Sequence, residues 1–497
     1  MSANLAANLT ATAARTPDAV ALKLDGLQIS FAQLEDSSAR VAGHLASIGV
    51  EAGDRVGLML PNVPGFAAIY YGILRLGAVV VPMNVLLKER ETSFYLSDPE
   101  AKAVFAWHDF ADAAGAGARE AGAELIVVSP GEFGALLAAA TPLAEVAARA
   151  ETDTAVILYT SGTTGTPKGA ELTHGNLGRN AEATQRLFSM TGEDVILGSL
   201  PLFHSFGQTC SLNAGIRAGA TLTMLPRFEP DKALEIIERD RVTLFMGVPT
   251  MYSAILNSPS APSADAGSLR ICVSGGASLP VELMRSFEQH FGCVILEGYG
   301  LSETSPVASF NHPDGVRKPG SIGTPIEGVE MRVVDDAGKP VADGEVGEIV
   351  IRGHNVMKGY WNRPEATAEA IREGGWFFSG DMARIDEDGC YFIVDRKKDL
   401  IIRGGYNVYP REIEEVIYEH AAVAEAAVIG VPHDELGEEV AAFVALKPGA
   451  QASADELKAH VKDQVAAYKY PRHVWVIDEL PKGPTGKILK RSLVPPV

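Results

Sequence analysis

The sequence predicts a layered α/β fold, followed by a β-rich stretch and a separate α+β unit at the C-terminal end. Three observations carry that expectation. Short Val/Ile/Leu-rich runs bounded by Gly, Pro or Asp recur at 55–60, 125–129, 155–159, 195–200, 221–225, 243–246, 269–274 and 294–296, as strands buried on both faces require. Helical patterns alternate with these runs, which is the arrangement of helices layered on sheets. From about Asp335 the texture changes, and Val333-Val334-Asp335-Asp336-Ala337-Gly338 and Ile385-Asp386-Glu387-Asp388-Gly389 read as turns between antiparallel strands.

Taken in order, the first twenty residues read as a short helix ending near Thr16-Pro17-Asp18. In 31–48 the apolar residues Phe31, Leu34, Val41, Leu45 and Ile48 share one helical face. Ser30 with Gln33 makes a capping box, and Gly49 ends the helix. The apolar stretch 57–82 is broken by Pro61, Asn62, Pro64 and Arg75. It therefore reads as strand, loop, helix and strand rather than the ~20 unbroken apolar residues of a membrane span. The Ala- and Gly-rich stretch 111–150 is expected to be an exposed helical region. The β-rich subdomain occupies about 330–395 and closes an N-terminal unit of 1–395. After Asp395-Arg396-Lys397-Lys398 the remainder, 399–497, is a smaller unit whose helix 411–420 carries Ile413, Val416 and Ile417 on one side.

The 497 residues include 43 Lys and Arg against 63 Asp and Glu, a net charge of −20. That field disfavours nucleic acid as a general partner and leaves room only for a local basic cleft. The four cysteines are too scattered for a disulfide framework or a thiolate metal site, and no two of the eleven histidines stand at a metal-ligand spacing. Without a basic segment followed by an apolar core at the start, the expected location is cytoplasmic.

The strongest local signal is Tyr159-Thr160-Ser161-Gly162-Thr163-Thr164-Gly165-Thr166-Pro167-Lys168-Gly169. It follows the apolar run 155–159, where an open α/β sheet places its ligands. Glycines and small hydroxyl residues let backbone N–H groups turn around an anion, and Lys168 adds charge. Pro167 stands where a Walker A loop needs Gly before Lys, so the loop is of another kind.

This segment resembles the phosphate loop of the adenylate-forming superfamily, which includes acyl-CoA and aryl-CoA synthetases, firefly luciferase and peptide-synthetase adenylation domains. The resemblance recurs in order along nearly the whole chain and is strongest to fatty-acid:CoA ligases. It implies a large N-terminal domain of α/β layers with a distorted β-barrel part, and a small mobile C-terminal domain. It further implies binding of ATP at Thr160, Ser161, Gly162, Thr163, Thr164 and Lys168. Ser274-Gly275-Gly276-Ala277 and Gly298-Tyr299-Gly300-Leu301-Ser302-Glu303-Thr304 match the family's nucleotide segments. By that resemblance Gly275, Gly276, Ala277, Gly298, Tyr299 and Gly300 flank adenine, Ser302 meets the α-phosphate and Glu303 ligates Mg²⁺. The family more often has Thr at the position of Ser302. Asp381, in Trp376-Phe377-Phe378-Ser379-Gly380-Asp381, matches the carboxylate that holds both ribose hydroxyls, with Ser379 again replacing Thr. Arg396 matches the residue contacting ribose and phosphate.

Near the C-terminus Pro481-Lys482-Gly483-Pro484-Thr485-Gly486-Lys487 resembles the loop bearing the family's catalytic lysine. By that resemblance Lys487 bridges the acid's carboxylate and the α-phosphate, drawing two anions together. Lys398 falls on the family's hinge (396–398), and Gly404 and Gly405 fall on the loop lining the pantetheine tunnel for CoA. His204, in Pro201-Leu202-Phe203-His204-Ser205-Phe206-Gly207, lies by resemblance where carboxylate, ATP and thiol meet. That segment holds no Asp to pair a substrate ammonium, so amino acids are poor substrates. The candidate acyl pocket is Ser205, Phe206, Gln208, Val248, Gly275, Gly298, Pro306 and Val307. It has no Arg for a second carboxylate and fits an apolar chain or aryl group.

The expectation is an ATP- and Mg²⁺-dependent acid:CoA ligase for a medium- or long-chain fatty acid. Aryl acids and delivery to a carrier-protein phosphopantetheine are the alternatives. A non-catalytic acyl or nucleotide sensor on the same fold is weighed against them. The joint presence of Lys168, Glu303, Asp381, Arg396 and Lys487 argues against a sensor, and no Gly-x-Ser-x-Gly segment supports a serine hydrolase. Peripheral membrane contact is compatible with a lipid substrate; no anchor is expected.

Overall fold

The computed structural model describes residues 3–160 and 167–496. Two mixed sheets form the body. The first has seven strands in the spatial order Gly359–Tyr360, Lys168–Thr173, Thr154–Thr160, Val79–Pro82, Arg55–Met59, Ala103–Trp107 and Glu124–Val128. The second has nine strands; its parallel part runs through Ile295–Gly300, Ile271–Ser274, Leu244–Gly247, Val195–Gly198, Thr221–Met224 and Val20–Leu24. Leu244–Gly247 and Ile271–Ser274 are buried at every position, as strands covered on both faces must be.

The helices follow the sequence signals. Phe31–Ser47 starts on Ser30, whose hydroxyl accepts from Gln33 N while the Gln33 side chain accepts from Ser30 N. Pro64–Leu76 carries Pro at its first turn and ends on Gly77 in the left-handed conformation (φ +82°). It is buried almost along its whole length, including Arg75. Among the described residues no helix is long and apolar enough to cross a membrane.

The stretch 111–150 departs from the expected exposed helical region. Helices Ala111–Ala121 and Glu132–Ala139 flank the strand Glu124–Val128, with Ala114 and Ala118 buried in the first. From 141 to 153 the chain is not helical but runs back over two core helices. Leu143 N donates to Ala39 O and Ala147 N to Arg75 O. Gly43 makes the crossing possible, since a Cβ there would stand 1.8 Å from the Thr141 carbonyl oxygen. Arg75 supplies the fastening: it donates to Leu143 O (2.7 Å) and Ala144 O (2.6 Å) and pairs with Glu35 at 2.6 Å.

The β-rich part is a five-stranded antiparallel sheet between Val329–Val334 and Tyr391–Arg396. Val329–Val334 alternates buried Val329 and Met331 with exposed Glu330 and Arg332, the signature of a sheet with one wet face. After the turn at 397–399 a further five-stranded sheet begins at Ile401 with its own core, in which Ile401, Val408, Ile413 and Val440 are buried.

Arg75→Ala should remove three hydrogen bonds and leave Glu35 without its counter-charge. A loss of about 3 kcal/mol is expected for breaking a buried pair. It should show as a lower denaturation midpoint together with new protease cleavage within 141–153. Unchanged cleavage there would contradict the fastening role.

Candidate active site

The C-terminal ends of the parallel strands converge on one cleft, the place where open α/β sheets bind ligands. Thr154–Thr160 delivers Thr160, and its antiparallel neighbour begins at Lys168. The predicted phosphate-loop residues Ser161, Gly162, Thr163 and Thr164 lie outside the described residues. At the flank of that loop, the Tyr360 hydroxyl donates to Glu303 Oε1 at 2.9 Å and Thr160 Oγ1 approaches the same oxygen at 3.4 Å. Lys168 Nζ stands 5.2 Å from the centre of the Tyr360 ring. Burial and the Glu303 charge push the Tyr360 hydroxyl far above its ordinary value, so it remains a donor. Among the described residues no group of three or more His, Cys, Asp or Glu is placed to hold a metal ion. A single carboxylate such as Glu303 still fits Mg²⁺, which takes one or two protein oxygens and draws the rest of its shell from phosphates and water.

The strand Ile295–Gly300 is longer than the predicted run 294–296 and carries Gly298-Tyr299-Gly300 as sheet, not loop. It pairs in parallel with Ile271–Ser274 and then antiparallel with Val307–Phe310. Gly298 is needed there: a Cβ would stand 2.3 Å from the Phe310 ring. Tyr299 donates to Asp381 Oδ2 at 2.6 Å, and Arg396 Nε lies 3.4 Å from the other carboxylate oxygen. Asp381 is only 6% exposed. Its backbone N–H donates to Ser379 Oγ (3.1 Å), which in turn donates to Ile349 O. Desolvation and the Asp381 charge push the Tyr299 hydroxyl well up, so it too stays protonated.

Lys487 enters from the C-terminal unit. Its loop is closed by Gly483 N to Lys487 O (2.8 Å) and Gly486 N to Gly483 O (2.9 Å). Thr250 Oγ1 donates to Gly486 O at 2.7 Å and ties the loop to the helix Pro249–Leu256. Burial and the neighbouring Arg396 charge bring the Lys487 amine down to about 8, against the opposing pull of Asp381 and Asp399. The same crowding of positive charge acts on His204. Burial, with Lys487 adding to it, lowers His204 to about 4, so the ring is neutral at pH 7. Its Nδ1 accepts from Phe206 N at 3.3 Å, which places the ring proton on Nε2.

A cavity of about 230 Å³ is bordered by Gly276, Ala277, Tyr299, Asp381, Arg396 and Lys487, whereas Thr160, Lys168, His204, Gly275, Ser302 and Glu303 are not part of its lining. Gly300, Val248 and Gly298 border it as well. Ser302 is half-buried on the short helix Ser302–Thr304 beside Glu303. The other candidate pocket residues lie outside that lining. Ser205, Phe206, Gln208, Pro306 and Val307 are buried, and the Phe206 ring lies 3.1 Å from where a Cβ of Gly275 would stand. Gln208 sits in a π-helical turn, Gly207–Asn213, a form of helix often found at functional sites. Lys398 is exposed in the turn after Tyr391–Arg396, and Gly404 and Gly405 are exposed in the turn between Ile401–Arg403 and Tyr406–Val408. These three do not border the cavity.

Several cleft residues belong to none of the sequence motifs. Tyr360 reaches Glu303 from a two-residue strand, Gly359–Tyr360, that no periodicity marks. Glu297 is buried beneath Gly298, accepts from Leu279 N at 2.9 Å, and is pushed up to about 7 by burial against the opposing Arg411 charge. A carboxylate closing the apolar run 294–296 was the available signal for it. Arg411 and Glu415 line the same cavity from the C-terminal unit.

Residues 9–361 match the model of the AMP-binding enzymes and residues 412–487 that of the AMP-binding enzyme C-terminal domain. A long-chain-fatty-acid–CoA ligase from Bacillus subtilis (strain 168) is 39% identical over 98% of this chain and 93% of its own. A feruloyl-CoA synthase from Amycolatopsis sp is also 39% identical, over 96% of this chain and 95% of its own. Among solved structures, ATP-bound MatB from Rhodopseudomonas palustris superposes with a TM-score of 0.93 at 36% identity, covering 99% of this chain and 98% of that one. The apo form of that protein gives 0.83 over the same shares. The chain belongs to the adenylate-forming AMP-binding enzymes and falls among their ATP-dependent acid–CoA ligases.

Proposed function

We propose that this enzyme adenylates a monocarboxylic acid with an apolar body, a medium- or long-chain fatty acid, and passes the acyl group to CoA. The observation that carries the reading is Lys487, desolvated and set beside Arg396 and Asp381 in the cavity that Gly276, Ala277 and Tyr299 border. In the first step a carboxylate oxygen attacks the α-phosphorus of ATP, the bond to the bridging oxygen breaks, and pyrophosphate leaves. Lys487 lies between the two anions and stabilises the charge that builds on the α-phosphate oxygens. Asp381, accepting through both oxygens, holds the ribose diol, and Arg396 meets ribose and phosphate. Glu303 would hold Mg²⁺, which when bound offsets the charge of the triphosphate. His204, neutral, offers a donor rather than a second charge where the acid binds. In the second step the CoA sulfur attacks the acyl carbon, the thiol proton is released, and AMP departs. Lys398 serves as the hinge of a domain rotation (396–398) that brings Gly404 and Gly405 to the pantetheine arm.

The acid's apolar character rests on the candidate pocket, in which Ser205, Phe206, Gln208, Val248, Pro306 and Val307 include no cation. A flat aryl acid is the second reading, favoured by the Phe206 ring lying against Gly275. Purified protein given ATP, Mg²⁺, CoA and a pool of fatty, aryl and dicarboxylic acids should yield fatty acyl-CoA by mass spectrometry. Aryl-CoA alone would replace the fatty reading, and acyl-adenylate without thioester would redirect it to a carrier-protein acceptor.

Lys487→Ala should lower the adenylation rate by roughly 10²–10³, the scale of losing one preorganised charge-stabilising group. Thioester formation from supplied acyl-adenylate should be kept. Equal loss in both half-reactions would contradict the assignment.

The pH dependence carries a definite sign. With the Lys487 amine at about 8 in the free enzyme, its charged form is lost as pH rises through that value. Adenylation kcat/KM should therefore fall above pH 8, because this parameter reports the free enzyme. In Lys487→Arg that fall should disappear from the accessible range, since guanidinium keeps its charge. A fall unchanged by the substitution would assign it to another group.

A further inference from the structure

The C-terminal unit meets the cleft through the first two turns of the helix Pro410–Tyr418. The Arg411 guanidinium donates to Ile393 O at 2.7 Å and Gly320 O at 3.2 Å, both on the N-terminal side of the 397–399 turn. Its backbone N–H donates to Asp395 Oδ2 at 3.1 Å. One turn further, Glu415 Oε2 accepts from Val281 N at 3.2 Å. Val281 opens the helix Val281–Phe291, which begins after Pro280 with no side-chain cap of its own. The first N–H groups of a helix lack partners within it, and its N-terminal end favours negative charge. Glu415 thus caps a helix of the N-terminal unit from across the interface.

The two side chains also approach each other, Arg411 Nε to Glu415 Oε1, at 3.7 Å. Neither belongs to the apolar core of the C-terminal unit, in which Ile413 and Ile417 of the same helix are buried. The hydrogen bonds of their side chains run outward, to Gly320, Val281 and Ile393. The neighbouring Glu414 links the helix to the Lys487 loop. Its Oε1 accepts from Val428 N at 2.8 Å and lies 2.7 Å from Lys490 Nζ, three residues beyond Lys487. Fixing the helix on the cleft therefore fixes where Lys487 stands.

We propose that Arg411 and Glu415 are positioning residues, a clasp that seats the C-terminal unit on the cleft with Lys487 at the nucleotide and releases it for the thiol step. The inference rests on the reading of Lys487 given above. The clasp contacts exist only while the helix Pro410–Tyr418 lies here, so their loss should weaken one half-reaction and not the other. A purely structural role would weaken both.

The test uses the full-length enzyme with Arg411→Ala, Arg411→Lys and Glu415→Ala. Arg411→Lys keeps the charge and guards against failure to fold, and Glu415 is partly exposed, so its loss is tolerable. ATP–pyrophosphate exchange should fall about tenfold or more in both alanine variants, and less in Arg411→Lys. Conversion of supplied acyl-adenylate to acyl-CoA should stay within about twofold. In parallel, spin labels at Gln28→Cys and Glu435→Cys, both exposed, should report one distance in the parent enzyme with AMP and a broadened distribution in the alanine variants. An unchanged distribution, or parallel loss in both half-reactions, overturns the clasp. If the parent enzyme forms no acyl-adenylate from any acid, the ligase reading fails, and the label distances alone decide the clasp.

Discussion

The arrangement depends on one constraint: a lysine ammonium must be held in a cleft poor in water, close to other cations, and still be available to anions. Lys487 is desolvated and stands near Arg396, which destabilises its charged form; Asp381 and Asp399 offset part of that cost. A cation in this state is poised to gain from an anion more than it would in bulk water, because the interaction strengthens as the dielectric falls. In the proposed adenylation the substrates would bring the charge that the site lacks, so that binding and catalysis would draw on the same imbalance. His204, kept neutral by the same environment, adds polarity without adding to the repulsion.

That constraint explains why the cleft is built from two units. Tyr299, Asp381 and Gly276 are carried by the N-terminal sheets, while Lys487 arrives on a loop tied to them by Thr250. Gly404 and Gly405 sit in an exposed turn and do not line the cavity. The contacts between the two units include many polar ones, among them the Thr250 and Ser253 hydroxyls, the Arg411 guanidinium, the Glu415 carboxylate and backbone groups, as is common between units of one chain.

The sheets are largely legible in the sequence, for a physical reason, and the fold brings the candidates Gly276, Ala277, Tyr299, Asp381, Arg396 and Lys487 to one cavity. The stretches 196–200 and 271–274 are buried on both faces and so are written mostly in apolar and small residues, and the glycines near them mark close backbone approach. The strand Ile295–Gly300 runs past the apolar stretch 294–296 because its remaining residues are a carboxylate, Glu297, and the segment Gly298-Tyr299-Gly300, which is set by close approach to Phe310 and Pro306 and by the Tyr299 bond to Asp381 rather than by apolar side chains. The segment 141–153 looked helical because its alanines favour helix, yet carbonyls captured by Arg75 hold it extended across two helices. Tyr360, Arg411 and Glu415 left no local signal at all. Each acts on a group more than fifty residues away, Tyr360 on Glu303 and Glu415 on Val281 among them, and only the tertiary fold brings such pairs together.

The most direct test of the account is the titration of the Lys487 amine itself, followed by ¹⁵N NMR in lysine-labelled enzyme and assigned with Lys487→Arg. In the free enzyme the amine should titrate near 8, and it should move upward when a non-reactive acyl-adenylate analogue carrying the phosphate charge is bound, since an adjacent anion favours the charged form. An amine that titrates at the ordinary lysine value in the free enzyme, or that does not respond to the bound analogue, would contradict the claim that Lys487 is desolvated in the cleft and completed by its substrates.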